Sequence, residues 1–290
     1  MWQGSVWYRG QRETEAARLR YGSSLGVIEL LVNRGFATLH SEAVGTPWDA
    51  GTYDRSSQPQ QAWALDVVER LRGISPDATV LDVGCGTGRI TEALLALVPQ
   101  GGVMAMDASA EMVTFAQRRL GDRAEVWCQD VLDLELDQLV DVIVSTAALH
   151  WVTDHERLWI RLARALRPGG LLQVQCGGRG NIQRVRDVID AVALDLAPQL
   201  VGWSPWLFAA PQETERRLQG AGFTDVECWL EERPTYPEDV AAFLPASILP
   251  AHLARLPEEQ REPFAAAVVR GATLPLDYVR LNVSAVRNRD

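Results

Sequence analysis

The chain has 290 residues, 47% of them hydrophobic, and a formal net charge of -10, a composition that buries one large interior rather than remaining disordered. Such acidity repels a phosphate backbone, so nucleic acid is not an expected partner. All 28 basic residues are arginine, and without lysine there is neither a Walker loop nor a Schiff base to pyridoxal phosphate.

Cys85, Cys128, Cys176 and Cys228 form no CxxC pair, and each lies in or beside an apolar run. They are expected as small core residues in a reducing compartment. No basic segment followed by an apolar one opens the chain, and no stretch approaches the ~20 apolar residues of a membrane span. A cytoplasmic protein without a membrane partner is therefore expected. The four histidines stand apart from clustered cysteines or carboxylates, so no metal is expected.

Residues 1–45 follow no clean period and read as an arm of unknown purpose ahead of a domain over residues 46–290. Apolar residues recur at helical spacing from Gln60 to Leu71, and Pro76-Asp77 then turns the chain into a first strand, Thr79 to Val83. Further strands are expected at Val103 to Met106, Glu125 to Cys128, Val140 to Ser145 and Leu171 to Cys176. Between them, helices are expected at Arg89 to Leu97, Ala110 to Leu120 and His155 to Leu166. This alternation implies right-handed βαβ units and an α/β, Rossmann-like, doubly wound sheet. Later, Ile182 to Leu196 and Glu213 to Ala221 look helical, Thr224 to Leu230 looks like a strand, and Asp277 to Val286 resembles a last strand. Helical cap insertions are expected at about 179–210 and 237–271, the second punctuated by Pro245, Pro250, Pro257 and Pro263.

The strongest local signal is Val80-Leu81-Asp82-Val83-Gly84-Cys85-Gly86-Thr87-Gly88, an apolar strand running into three glycines before a helix. Glycines there permit tight turning and close approach of a nucleotide-like ligand. Dinucleotide folds use G-x-G-x-x-G, whereas here the spacing is G-x-G-x-G and position 89 is Arg. Asp107 ends the second strand, where a carboxylate can hold the ribose of either NAD or S-adenosylmethionine (SAM), or cap the helix near Ser109. Cys128-Gln129-Asp130-Val131 closes the third strand with a carboxylate suited to an adenine amino group.

In this order, the residues resemble the seven-stranded SAM-dependent methyltransferases over Thr79 to about Cys176, Gly222 to Leu230 and Tyr278 to Val286. The resemblance implies a last strand antiparallel to the rest and SAM as cofactor. It implies that Asp82 and Gly84 flank the methionine moiety, Asp107 holds the ribose, and Asp130 and Val131 hold the adenine. Tyr53, Cys85, Gly86, Ala108, Met112 and Thr146 would complete that site.

No Asn-Pro-Pro-Tyr motif follows the fourth strand. Ala148-Leu149-His150-Trp151-Val152 instead looks like the small-molecule carboxyl methyltransferases of the trans-aconitate and juvenile-hormone-acid type. That likeness implies that Gln60 and Trp151 hold a substrate carboxylate. A hydroxyl or thiol acceptor would need a base, for which His150 is the best placed residue. His155 is expected to face solvent or a neighbour, and His40 and His252 lie outside any constellation. Trp48, Trp151, Trp203 and Trp206 could form an aromatic box, while Trp127 and Trp229 are assigned to the core. Arg55, Arg179, Arg184 and Arg280 are candidates to neutralise an anionic substrate.

The expected activity is methyl transfer from SAM to a small-molecule acceptor, on the carboxylate or hydroxyl oxygen of an organic acid. Alternatives are an N, S or C acceptor, use of SAM without methyl transfer, an NAD-type oxidoreductase, or an idle nucleoside-binding relative. The sequence specifies no oligomeric state.

Overall fold

A computed structural model describes residues 49–290 apart from residue 57, and side chains there except at residues 52 and 55–61. The arm, with His40, and residues 46–48, with Trp48, lie outside the described residues. One sheet is formed by β1 (Thr79–Val83), β2 (Gly102–Asp107), β3 (Glu125–Cys128), β4 (Val140–Thr146), β5 (Leu166–Gly177), β6 (Phe223–Glu232) and β7 (Val279–Arg287). Its order is β3-β2-β1-β4-β5-β7-β6. Neighbours from β3 across to β5 pair in parallel, and β7 runs antiparallel to β5 and β6, as expected for the doubly wound sheet with its reversed last strand.

The helices among the described residues are α1 (Ala50–Ser56), α2 (Gln58–Arg70), α3 (Arg89–Leu97), α4 (Ala110–Leu120), α5 (His155–Ala165), α6 (Gln183–Leu196), α7 (Pro211–Gly220), α8 (Val240–Ser247), α9 (Pro250–Ala254) and α10 (Glu258–Gly271). Their starts follow local chemistry. The Ser109 hydroxyl accepts from Met112 N–H to cap α4, Asp154 accepts from Arg157 N–H to cap α5, and Pro211 opens α7. Proline also divides the later cap, where Pro250 begins α9 and Pro257 precedes α10.

The central strands are apolar on both faces because both are covered. Val80, Val142 and Val144 pack with Leu71 and Leu94 on one side, while Leu81, Val83 and Ile143 join Trp159 and Leu162 on the other. A separate cluster, including Phe243, Leu244, Phe264 and Ile189, lies among the cap helices.

Three sequence readings are corrected. β5 begins at Leu166 rather than Leu171, because Leu166 pairs with Val140 ahead of a register shift. Trp229 is 36% exposed and Trp127 half-buried: both lie on β6 or β3, the edge strands, where the sheet is less completely covered. Trp229 instead receives the Arg70 guanidinium 4.8 Å from its ring centre, and Trp127 donates to Gln129. For the same reason Cys128 is exposed and Cys228 half-buried, while Cys85 and Cys176 are buried as expected.

Candidate active site

Gly84 and Cys85 N–H both donate to the Met106 carbonyl, at 2.8 and 3.0 Å, binding the glycine turn to the end of β2. A Cβ on Gly84 would stand 2.2 Å from Ala148 Cβ, so a side chain there is excluded by packing. On Gly86 it would meet nothing within 4 Å. Gly86 therefore borders open space, in a crevice also lined by Tyr53, Thr87, Thr146 and Ala147. This crevice lies beyond the carboxyl ends of β1 and β4, where the chain switches from winding one way to winding the other, the usual ligand position in such sheets.

Two buried carboxylates stand behind it. Asp82 accepts from Thr91 Oγ1 at 2.7 Å, and burial, reinforced by the charge of Asp107, pushes its pKa up to about 7. Asp107 accepts from Gly86 N–H and Ser109 N–H, each at 2.9 Å; burial raises its pKa, and these bonds oppose the rise. Neither has an ion-pair partner among the described residues, so the environment suits a ligand carrying positive charge. Burial also raises the Cys85 thiol well above its usual range, with Asp82 and Asp107 adding to the effect, which leaves it an unreactive wall. Asp130 is half-buried and accepts from Leu132 N–H at 2.9 Å, while Val131 and Met112 are buried and Ala108 is half-buried.

Nothing in the sequence marks Asp54, since its partners come from two distant segments, Thr87 with Arg89 and Arg119. On α1, its carboxylate accepts from Arg89 at 2.6 and 2.8 Å, from Arg119 at 3.0 and 3.1 Å and from Thr87 Oγ1 at 2.6 Å. These bonds, led by Arg89, hold its pKa well below the carboxylate range. They place α1, with Tyr53, against the glycine turn.

A second pocket, about 430 Å³ including its mouth, shares Tyr53 and Ala147 with the crevice. Its rings form a continuous set: His150 lies 5.5 Å from Trp151 and 5.7 Å from Phe208, Trp151 meets Trp206 edge-on at 5.7 Å, and Trp206 stacks on Phe208 at 5.5 Å. His252, not foreseen here, packs 5.1 Å from both Trp203 and Trp206. Burial lowers its pKa to about 4. Trp151 and Trp206 thus meet directly, and Trp203 joins them through His252.

His150 does not offer a base. Its Nδ1 accepts from Gly177 N–H at 3.3 Å, so the neutral ring carries its proton on Nε2 and is a donor. Burial, then the charges of Arg280 and His155, holds its pKa well below the imidazole range. His155 is buried, not solvent-facing, with Nε2 against the Leu149 carbonyl at 3.3 Å. Gln60 lies within α2, and its side chain, like that of Arg55, is outside the described residues. Arg179 is exposed, and Arg184 bonds the Pro275 carbonyl and pairs with Asp277 away from the pocket. Arg280 is buried and lines the pocket.

Residues 80–170 match the family described as methyltransferase domain. A trans-aconitate 2-methyltransferase of Methylobacterium nodulans is 31% identical over 183 residues, covering 63% of this chain and 67% of the relative. The chain belongs to the SAM-dependent methyltransferase family. A malonyl-[acyl-carrier protein] O-methyltransferase of Anoxybacillus flavithermus is 34% identical over 42% of this methyltransferase, a match that spans 47% of that relative's length. Phosphoethanolamine N-methyltransferase 2 of Haemonchus contortus, solved with S-adenosyl-L-methionine, shares the fold at TM-score 0.52 and 17% identity, covering 79% of this chain and 53% of that one. SAM is the family's cofactor, and the crevice fits it: open space at Gly86 leaves room for close approach, and two carboxylates without an ion-pair partner among the described residues suit a cationic donor.

Proposed function

We propose that this methyltransferase transfers a methyl group to an oxygen of a small organic acid held in the second pocket. The observation that carries the reading is the junction of the two pockets at Tyr53 and Ala147: a donor in one and an acceptor in the other can meet there. Bound SAM supplies a methyl group already activated by a sulfonium. The protein then has to align the acceptor with it and exclude water.

In this reading Asp107 receives ribose hydroxyls, Asp130 and Val131 meet the adenine, and Asp82, Gly84, Cys85 and Gly86 border the methionine moiety. Ala108, Met112, Thr146 and Tyr53 close the cofactor site. Tyr53, its pKa pushed up to about 12 by burial and then by Asp107, stays a neutral hydroxyl at the junction. Trp151 faces the acceptor carboxylate, for which Gln60 is the second candidate, and His150 donates from Nε2. An ionised carboxylate needs no base, in keeping with the occupied Nδ1 of His150. The cap helices α6 and α8 to α10 belong to the same domain and shape the acceptor side, and nucleic acid is not the substrate. No helix among the described residues is long and apolar enough to cross a membrane.

Incubation with methyl-labelled SAM and a panel of acids, phenols and amines tests this. Label recovered in a base-labile ester is the expected result; label confined to phenols or amines contradicts it.

A further inference from the structure

Arg280 is among the largest fully buried side chains, 2% exposed despite its permanent charge. Its Nε and Nη2 have no hydrogen-bond partner among the described residues. Among the described residues, Cys176, Tyr278 and Tyr53 act on it electrostatically, and none of them is a carboxylate. Trp63 covers the guanidinium at 5.1 Å, which removes it further from water. A buried cation without a counter-ion is destabilising, and this one stands in the wall of an open pocket.

The neighbouring groups favour an anion. His150 offers Nε2–H, and Asn181, whose Oδ1 is taken by Val279 N–H at 3.0 Å, has its amino group left to donate. The remaining wall includes Trp206, Phe208 and Ile248, which are apolar. Among the described residues lining the pocket, Arg280 alone carries a charge. A second or third carboxylate on the same ligand would face rings rather than a cation, at a large desolvation cost.

We propose that Arg280 is the counter-charge for one acceptor carboxylate, and that the acceptors are apolar monocarboxylic acids whose bodies lie against Trp206, Phe208 and Ile248. This rests on reading the second pocket as the acceptor site. The carboxylate oxygen forms a bond to the methyl carbon, the carbon–sulfur bond breaks, and its electron pair remains on sulfur as a neutral thioether. No proton moves. The ester formed has no charge to offer Arg280, so the product is held less tightly than the acid.

The test uses methyl-labelled SAM with octanoate and phenylacetate as probes, against trans-aconitate, phenethyl alcohol and phenethylamine. S-adenosylhomocysteine affinity is measured by calorimetry on the same preparations. The wild type should methylate at least one monocarboxylate with kcat/KM about tenfold or more above the other three probes. Arg280→Met should lose about 100-fold in kcat/KM toward that acid, with S-adenosylhomocysteine affinity within about twofold of wild type, and Arg280→Lys should recover part of the loss. A Met variant that methylates the acid as well as wild type overturns the proposal. So does preference for trans-aconitate, the alcohol or the amine, or failure of both monocarboxylates while S-adenosylhomocysteine still binds. Failure of the wild type to bind S-adenosylhomocysteine overturns the donor-site reading instead. If Arg280→Met does not fold, acid-versus-alcohol discrimination by the wild type decides the matter.

Discussion

Asp54 on α1 grips Arg89 at the start of α3, with Nη2 at 2.6 Å and Nε at 2.8 Å from its carboxylate. Because Arg89 directly follows the glycine turn and Tyr53 directly precedes Asp54, this pair fixes one wall of the donor crevice to its floor. Arg119 and Thr87 add their bonds from the same side. Charge-assisted bonds to a carboxylate that is 8% exposed are stronger than those at an open surface.

Asp54→Ala should weaken S-adenosylhomocysteine binding by about tenfold, through loss of α1 rather than of a ligand contact. Calorimetry together with amide exchange over residues 50–56 checks both parts. Exchange there should accelerate while β1 and β4 stay protected. The depressed pKa fixes the sign of the pH effect: the latch contributes fully above the ordinary carboxylate range and is lost as pH falls through the lower folded value. Wild-type affinity at pH 5 and pH 8 should therefore differ little through Asp54.

The glycines separate folding from binding. Gly84→Ala places a Cβ 2.2 Å from that of Ala148, so it should lower stability by about 1–3 kcal/mol, seen as a lower Tm. Gly86→Val meets no atom of the described residues at Cβ but fills the cradle, and at φ +53 the β-branched side chain costs about 1–3 kcal/mol of backbone strain. It should remain folded and lose S-adenosylhomocysteine binding. Normal binding by the Val variant would remove the donor from that position.

Asp82 makes stability fall with pH. Its folded pKa of about 7 lies above the unfolded value, so the folded state holds the extra proton between about pH 4 and 7 and loses that advantage as pH rises. Asp82→Asn keeps an oxygen for Thr91 and removes the charge. The variant should gain stability over wild type progressively across that window, by on the order of 3 kcal/mol at pH 8. Denaturant unfolding at pH 5 and pH 8 measures it; equal differences at the two values contradict the buried-charge explanation.

His150 should set no pH limit on ester formation. With Nδ1 occupied and the ring neutral, kcat toward a carboxylate acceptor should stay flat from about pH 6 to 9. His150→Phe should lower kcat/KM by about tenfold through the lost donor without changing that profile. A wild-type profile that rises through pH 6 to 7 and flattens in the Phe variant would restore the histidine as a base.

Strands were readable where both faces are covered, since β1 and β4 are continuous apolar runs and the pattern of Val80 to Val83 has one reading. At the edges the same composition misleads: Trp229 and Cys128 look like core residues, yet among the described residues β6 and β3 each have a neighbour on one side alone. Arg167, Pro168 and Gly169 signal a turn and so place the start of β5 at Leu171, while pairing with β4 draws Leu166 into the sheet. In the site, the glycine turn and Asp107 were legible because strand, turn and helix are contiguous in sequence. Asp54, Asn181 and His252 were not, since each acquires its setting from segments brought together by folding. Arg280 was one of four arginine candidates, and burial without a carboxylate distinguished it.

The most direct measurement is calorimetric titration of S-adenosylhomocysteine into wild type and Asp107→Ala. One site per chain, weakened about tenfold or more by removing the carboxylate, is the expected result. Equal affinity in the two proteins, or a crevice that takes NAD and leaves S-adenosylhomocysteine unbound, would contradict the assignment of that crevice to the methyl donor.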